Sequence, residues 1–288
     1  MDIEAKAAGA VTLDYAPPHE SLRDILSVFY EFKADVPLFE DVERADLAQF
    51  RFILEGKGRY TFADGVTMPA PPIMILGPST GPTAVRVEGP LHMFGVGLLP
   101  AGWGALLDFE ASLLVNRVID ATDVLGNGLH QTAQAFREAA GFEERVAIGN
   151  AFAQDMVTRG KRGASDFTRV VDQWLGSSPS PDVEELVRVA GLSRRQVERS
   201  CKRFYGSPPK VLARKYRALK AAIAIAKGEE ITRDLVGAGF YDQSHFIREI
   251  KHFTGITPGK IADEFSVLAK LTLKRTEFEE LAPLITRT

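Results

Sequence analysis

Only one cysteine, Cys201, occurs in the 288 residues. That excludes an internal disulfide and any zinc site built on several thiolates. No apolar run approaches the roughly eighteen residues that a membrane span needs. The N-terminus has no basic stretch followed by a hydrophobic one, so nothing in it signals export. The five histidines, His19, His92, His130, His245 and His252, stand apart and form neither H-x-H nor H-E-x-x-H. Phosphate-loop and dinucleotide motifs are missing as well. These absences predict a cytoplasmic protein that is not an enzyme and has no metal and no cofactor.

The hydrophobic content of 45% is ample for two ordinary domains. The net charge of −3 hides an uneven distribution. Residues 180–265 hold 16 Lys and Arg against 11 Asp and Glu, and the remainder holds 19 against 27. Between Arg188 and Lys227 twelve basic residues stand with one acidic residue, Glu198. A phosphate backbone feels such a field, and binding through it is salt-dependent. Taken alone, the run fits a solvated helical face equally well.

After Tyr15-Ala-Pro-Pro the spacing predicts an amphipathic helix over roughly 20–32. Short strand-like segments follow at 49–54, 59–62, 73–76, 84–87 and 91–98, broken by Gly and Pro. They fit a small sandwich or barrel with room for a cavity. From Pro100 through Trp174 the pattern is helical, and Gly176-Ser-Ser-Pro-Ser-Pro reads as a linker. A tail over 266–284 predicts one more helix.

One pattern then occurs twice. The first copy runs from Ala190-Gly-Leu through Ser193-Arg-Arg-Gln-Val-Glu-Arg to Lys202, Gly206, Pro208 and Lys210. The second runs from Ala238-Gly-Phe through Asp242-Gln-Ser-His-Phe-Ile-Arg to Lys251, Gly255, Pro258 and Lys260. Each reads as helix, Gly-containing turn, helix, the form of a helix-turn-helix DNA reader. Ser193 with Gln196 predicts a capping box, and Val197, Cys201 and Phe204 predict an inward face. Arg195, Glu198, Arg199 and Lys202 share another face. In a major groove arginine matches guanine O6 and N7, and glutamate accepts from cytosine N4. Bland surface charge is the competing account. In the second copy Asp242 is the cap, and Phe246, Ile250 and Phe253 form the inward stripe. Gln243, Ser244, Ile247, Arg248 and Lys251 face outward, with His245 at the edge. Ser207 and Thr257, each before a proline, predict helix caps. The segment 208–227 predicts a single helix about 30 Å long, close to the ~34 Å turn of B-DNA, so one chain could read successive grooves.

Ala190-Gly-Leu-Ser-Arg-Arg-Gln-Val-Glu-Arg, Gly239-Phe-Tyr-Asp-Gln-Ser-His-Phe-Ile-Arg-Glu and Thr254-Gly-Ile-Thr-Pro-Gly resemble the signature of the AraC/XylS family of bacterial transcription regulators. The resemblance covers about 182–265. More weakly, Tyr15-Ala-Pro-Pro, Gly77-Pro-Ser-Thr and Phe94-Gly-Val-Gly with Pro100-Ala-Gly-Trp look like the β-rich sensor of some members. It implies an α+β chain: a β-rich, cupin-like sandwich or barrel over 1–125, a helical connector over 126–176, an all-α double helix-turn-helix domain over 177–265, and a tail over 266–288. Base contacts carry over to Arg195, Glu198, Arg199, Gln243, Ser244 and Arg248. Phosphate contacts fall to Arg194, Lys202, Arg203, Lys210, Arg214, His245 and Lys251. The implied partner is double-stranded promoter DNA, with a small-molecule effector, a contact to RNA polymerase and a homodimer left open.

Two positions depart from the family pattern. Cys201 stands where a bulky apolar residue is usual. The run Asp234-Leu-Val-Gly-Ala is one residue short, and Gly237 adds a helix penalty of about 1 kcal/mol. Arg51, His92 and Trp103 are the candidate effector-pocket residues, weighed against a satisfied strand histidine and a packing tryptophan. Arg51 and Arg59 are expected on adjacent strands. The rival expectation is an effector-binding or protein-interaction module with a vestigial DNA-binding domain.

Overall fold

The computed structural model describes residues 11–159, 165–230 and 239–263. One antiparallel sheet holds β1 (Val11–Ala16), β2 (Leu26–Ala34), β3 (Leu38–Glu43), β4 (Ala48–Thr61), β5 (Thr67–Pro69), β6 (Ile73–Leu76), β7 (Thr83–Leu98) and β8 (Val118–Asp120). The order is β1-β2-β7-β4-β6-β8, with β3 beside β7 and β5 beside β4. Around and after it come α1 (Pro100–Leu106), α2 (Thr122–Leu125), α3 (Leu129–Glu138) and α4 (Phe142–Arg159). The chain is thus α+β, with a β-rich N-terminal region and helices toward the C-terminus.

Strand alternation sorts side chains into two cores. On β4, Phe50 and Phe52 point to one face and join Phe29, Phe94, Trp103 and Phe136 beneath the helices. Ile53 points to the other face, where Tyr30, Phe32, Phe39, Tyr60 and Met93 form a second cluster. Covering both faces explains a misreading at 20–32. Only a 3-10 turn at Glu20–Leu22 forms there, followed by β2, buried at eight of its nine positions. A strand covered on both sides loses its alternation, so its apolar residues fall by chance at helical spacing. The Val28-Phe29-Tyr30 run favours the strand.

Segments 49–54 and 59–62 are one strand, β4, whose pairing with β7 shifts between Ile53 and Lys57. Likewise 84–87 and 91–98 are both β7. The intervening glycines and proline mark irregularities within strands rather than strand ends. The stretch expected to be helical throughout from Pro100 also contributes β8 to the sheet edge.

The C-terminal helices are α5 (Ser165–Ser177), α6 (Val183–Ala190), α7 (Arg194–Tyr205), α8 (Pro209–Ala226), α9 (Gln243–Thr254) and α10 (Pro258–Asp263). Val171, Trp174, Leu186, Val197, Cys201, Tyr205, Leu212 and Tyr216 make one core, and Leu219, Phe240, Phe246, Ile250, Phe253 and Ile261 another. Helix α8 runs through both. Gly176 and Ser177 end α5, and the largely exposed stretch to Pro181 leads into α6 beside the first core, where Trp174 packs and its Nε1 donates to the Asp182 carbonyl at 2.7 Å. Ser207 is buried and supplies no cap, since Pro208 holds the cap position of α8 in extended backbone. The Asp234 run and the 266–288 tail lie outside the described residues. Among those described, no helix is long and apolar enough to cross a membrane.

Tyr205 Oη lies 2.9 Å from the Thr168 carbonyl and 2.6 Å from Asp172 Oδ1. The phenol hydroxyl donates to these two acceptors as a shared bond. Burial pushes the Asp172 carboxyl up to about 7, against a smaller lowering by the Tyr205 bond. Its folded-state value therefore exceeds the unfolded one. The stability it contributes is full below about pH 4 and is lost as pH rises through 7. Asp172→Asn is expected to flatten that slope and raise stability by about 1–2 kcal/mol in mild alkali. Thermal melts across pH check it, and an unchanged slope would count against the assignment.

Candidate nucleic-acid interface and sensor cavity

Ser193 caps α7, and the capping box with Gln196 is present. The Gln196 amide donates to Ser193 Oγ at 3.3 Å, and the Ser193 amide donates to Gln196 Oε1 at 2.9 Å. The helix closes on Gly206, which adopts φ 78°. A side chain there would be strained, and its Cβ would also meet Pro78 and Val115 of the sheet region. Asp242 caps α9 by accepting from the His245 amide at 2.7 Å. Val197 and Cys201 are fully buried, with Tyr205 as the third residue of the stripe and Phe204 half-buried. Burial pushes the Cys201 thiol up to about 12, which suits a packing residue.

With these faces inward, Arg195 and Arg199 on α7 and Gln243, Ser244 and Arg248 on α9 are exposed, and Glu198 is half-exposed. Neither Arg195, Arg199 nor Arg248 has a hydrogen-bond or ion-pair partner among the described residues. Helix α7 carries five basic residues and one acid. Lys202, Arg203, Lys210 and Lys251 are exposed around these faces, with Arg203 lying over the Phe204 ring. Arg194 is paired with Glu184.

Arg214 is engaged differently. Its Nε and Nη2 fork onto the buried Glu249 of α9 at 2.9 and 2.7 Å. Burial would raise the Glu249 carboxyl, but the Arg214 bonds and charge outweigh it and hold the group below its ordinary value. The fork ties the second reading helix to α8. His245 is half-buried, accepting from the Tyr241 amide at 3.2 Å and lying edge-on to Phe240. Sequence reasoning passed over Tyr241, which is 92% exposed directly ahead of the α9 cap. Only its exposure in the fold marks it.

A cavity of about 200 Å³ lies on the second face of the sheet. Arg51 sits in its wall, 3% exposed. Its Nη2 donates to both oxygens of Glu43 at 3.0 and 3.1 Å, its Nε to Tyr30 Oη at 2.8 Å, and its Nη1 to Tyr60 Oη at 2.8 Å. Gln49 Oε1 accepts from Nη2 at 2.9 Å and from Tyr30. Burial opposes the guanidinium charge, yet the Glu43 charge beside it raises its affinity for the proton well above the ordinary value. Burial raises both phenols. The row is possible because Gly95 of β7 stands between Tyr30 and Arg51 in register. A Cβ on Gly95 would lie 2.6 Å from the Tyr30 ring, so its missing side chain lets Tyr30 lean across to the arginine.

Of the three candidate pocket residues, Arg51 alone lines this cavity. Arg59 also lines it, from the same strand as Arg51 rather than a neighbouring one. His92 points to the other side of β7, where it pairs with the buried Glu31 at 2.9 Å beside Arg145 and Lys33. Trp103 is in the helix-side core and donates to the Phe109 carbonyl at 2.8 Å.

The cavity's far wall comes from the C-terminal region: Ala222 and Ile223 of α8, Thr254, Ile256 and Ile261. The two regions meet elsewhere too. The Ala45 amide donates to the Phe253 carbonyl at 2.7 Å. Lys215, 5% exposed, donates to the carbonyls of Asp46 at 2.6 Å and Ser79 at 3.0 Å.

Residues 186–264 match the family model described as a helix-turn-helix domain. No curated protein sequence matches the chain. Among solved structures the chain is similar to ToxT from Vibrio cholerae O395, at 12% identity over 79% of this chain and 99% of that one, with a TM-score of 0.43. A structure of wild-type ToxT from Vibrio cholerae strain SCE256, bound to an unsaturated fatty acid, matches at 9% identity over 81% and 94%, TM-score 0.47. The AraC-like transcriptional activator CuxR matches at 17% identity over 67% and 75%, TM-score 0.36.

Proposed function

We propose that the chain is a DNA-binding transcription regulator with an AraC-type helix-turn-helix domain, and that it reads promoter DNA with the outward faces of α7 and α9. The observation that carries this reading is the pair of capped helices whose outward arginines, Arg195, Arg199 and Arg248, have no partner among the described residues. Leaving three long cations unengaged on helix faces suits a surface that meets an external anion. Arg195 and Arg199 take guanine edges, Glu198 accepts from cytosine, and Gln243 and Arg248 read the second groove. Lys202, Arg203, Lys210 and Lys251 hold phosphates and set the register. Arg214 contributes by fixing α9 through Glu249.

The sheet region is the sensor, and its cavity is the effector site because α8 and residues 254–261 form part of the wall. An occupant touches the same segment that places the second reading helix. The protein acts in the bacterial cytoplasm, where promoter DNA lies.

Selection of bound duplexes from a random pool, with the full chain and no added ligand, tests the reading. One motif with two halves about 10 base pairs apart is expected, with affinity falling steeply as salt rises. A pool that stays random through successive rounds would sink it.

A further inference from the structure

Three acids and three arginines line the cavity, Asp41, Glu43 and Asp46 with Arg44, Arg51 and Arg59, and of the arginines Arg51 alone is buried. Glu43 occupies the Arg51 Nη2 edge with both oxygens, and the other two guanidinium nitrogens are taken by the two tyrosines. A carboxylate ligand would have to displace Glu43 and leave two carboxylates beside one buried cation, which is costly away from water.

Tyr60 points to a different ligand chemistry. It is 4% exposed and its oxygen accepts from Arg51 Nη1. Its own proton has no acceptor among the described residues. A buried hydroxyl proton facing a cavity calls for an acceptor there. The remaining wall is largely apolar, with Leu13, Phe32, Ile53, Leu91 and Met93 from the sheet.

Resting on the sensor reading above, we propose that this cavity takes an uncharged, mostly apolar molecule of roughly ten non-hydrogen atoms, at the packing density of protein interiors, whose single acceptor oxygen bonds the Tyr60 hydroxyl. Ketones and medium-chain alcohols belong to this class, and carboxylates do not. The oxygen lies toward Tyr60, and the apolar body extends toward Ile256 and Ile261. Ligand affinity and the placement of the second unit are therefore linked.

Calorimetric titration of the full chain near neutral pH with heptyl methyl ketone and with nonanoate, below its micelle concentration, tests the proposal. The two probes match in carbon count and differ in charge. Saturable ketone binding is expected, with nonanoate at least about tenfold weaker. Tyr60→Phe should weaken the ketone about fivefold to tenfold by removing one donor. Glu43→Gln should raise nonanoate affinity about tenfold by uncovering Arg51. Nonanoate binding as tightly as the ketone in the unaltered protein would overturn the proposal, as would no binding of either up to the ketone's solubility. An unchanged ketone affinity in folded Tyr60→Phe would overturn the assignment of the oxygen. DNA selection by the ligand-free chain is independent of these titrations. Retained DNA selection with a flat titration removes the ligand class alone, and the converse removes the DNA reader alone.

Discussion

Arg51→Met is expected to destabilise the protein by about 3–5 kcal/mol, the usual cost of removing one partner from a buried ion pair. The change strands Glu43 and strips the donor from Tyr30, Tyr60 and Gln49 together, all on the buried face of one sheet. The double substitution Arg51→Met with Glu43→Met should recover part of that loss, because no uncompensated charge then remains. Urea denaturation of the three proteins forms the test, with the coupling read from the cycle. A single-variant loss below about 1 kcal/mol would show that the cluster is solvated and that its geometry contributes little. That result would also remove the physical basis for rejecting carboxylate ligands.

Arg199→Ala should cost about 1–3 kcal/mol of discrimination at one base pair and little at any other. Lys202→Ala should instead weaken all sequences alike and lessen the salt slope by about one. The contrast separates base reading from phosphate holding on one helix, and quantitative binding to a panel of singly altered sites measures it. If Arg199→Ala weakened every site equally, its place would be on the backbone. Arg214→Ala makes a useful comparison, since its guanidinium is forked on Glu249. It should lower the stability of the second unit as well as DNA affinity.

The reading helices were legible in the sequence because their determinants are local. Ser193 and Gln196 are three residues apart, Gly206 ends the same helix, and Phe246, Ile250 and Phe253 repeat at helical spacing. The sheet was legible only in pieces. Strands β4 and β7 were cut at their glycines and proline, and β2 was hidden by burial on both faces. Arg51 could be singled out by its type, but its partners could not. Tyr30, Glu43 and Tyr60 lie on three different strand segments, and Tyr30 meets Arg51 only through the register across Gly95. His92 and Trp103 carry chemistry that many sites share, and side-chain direction sets them elsewhere: His92 alternates with Met93, which faces the cavity. Nothing local in a sequence distinguishes those two directions.

The bonds between Lys215 and the carbonyls of Asp46 and Ser79, and between Ala45 and Phe253, join the two regions through main-chain atoms of the sheet side. A peptide group is the same whatever side chain it bears. Substitutions at Asp46 or Ser79 that preserve the local backbone should therefore leave these anchors in place. The residues around the cavity mouth can then diverge toward new ligands while the seat for the DNA-binding helices keeps its shape. Sensor specificity and inter-domain fit become separable properties, and an exchange of cavity residues between related chains should alter the first without disturbing the second.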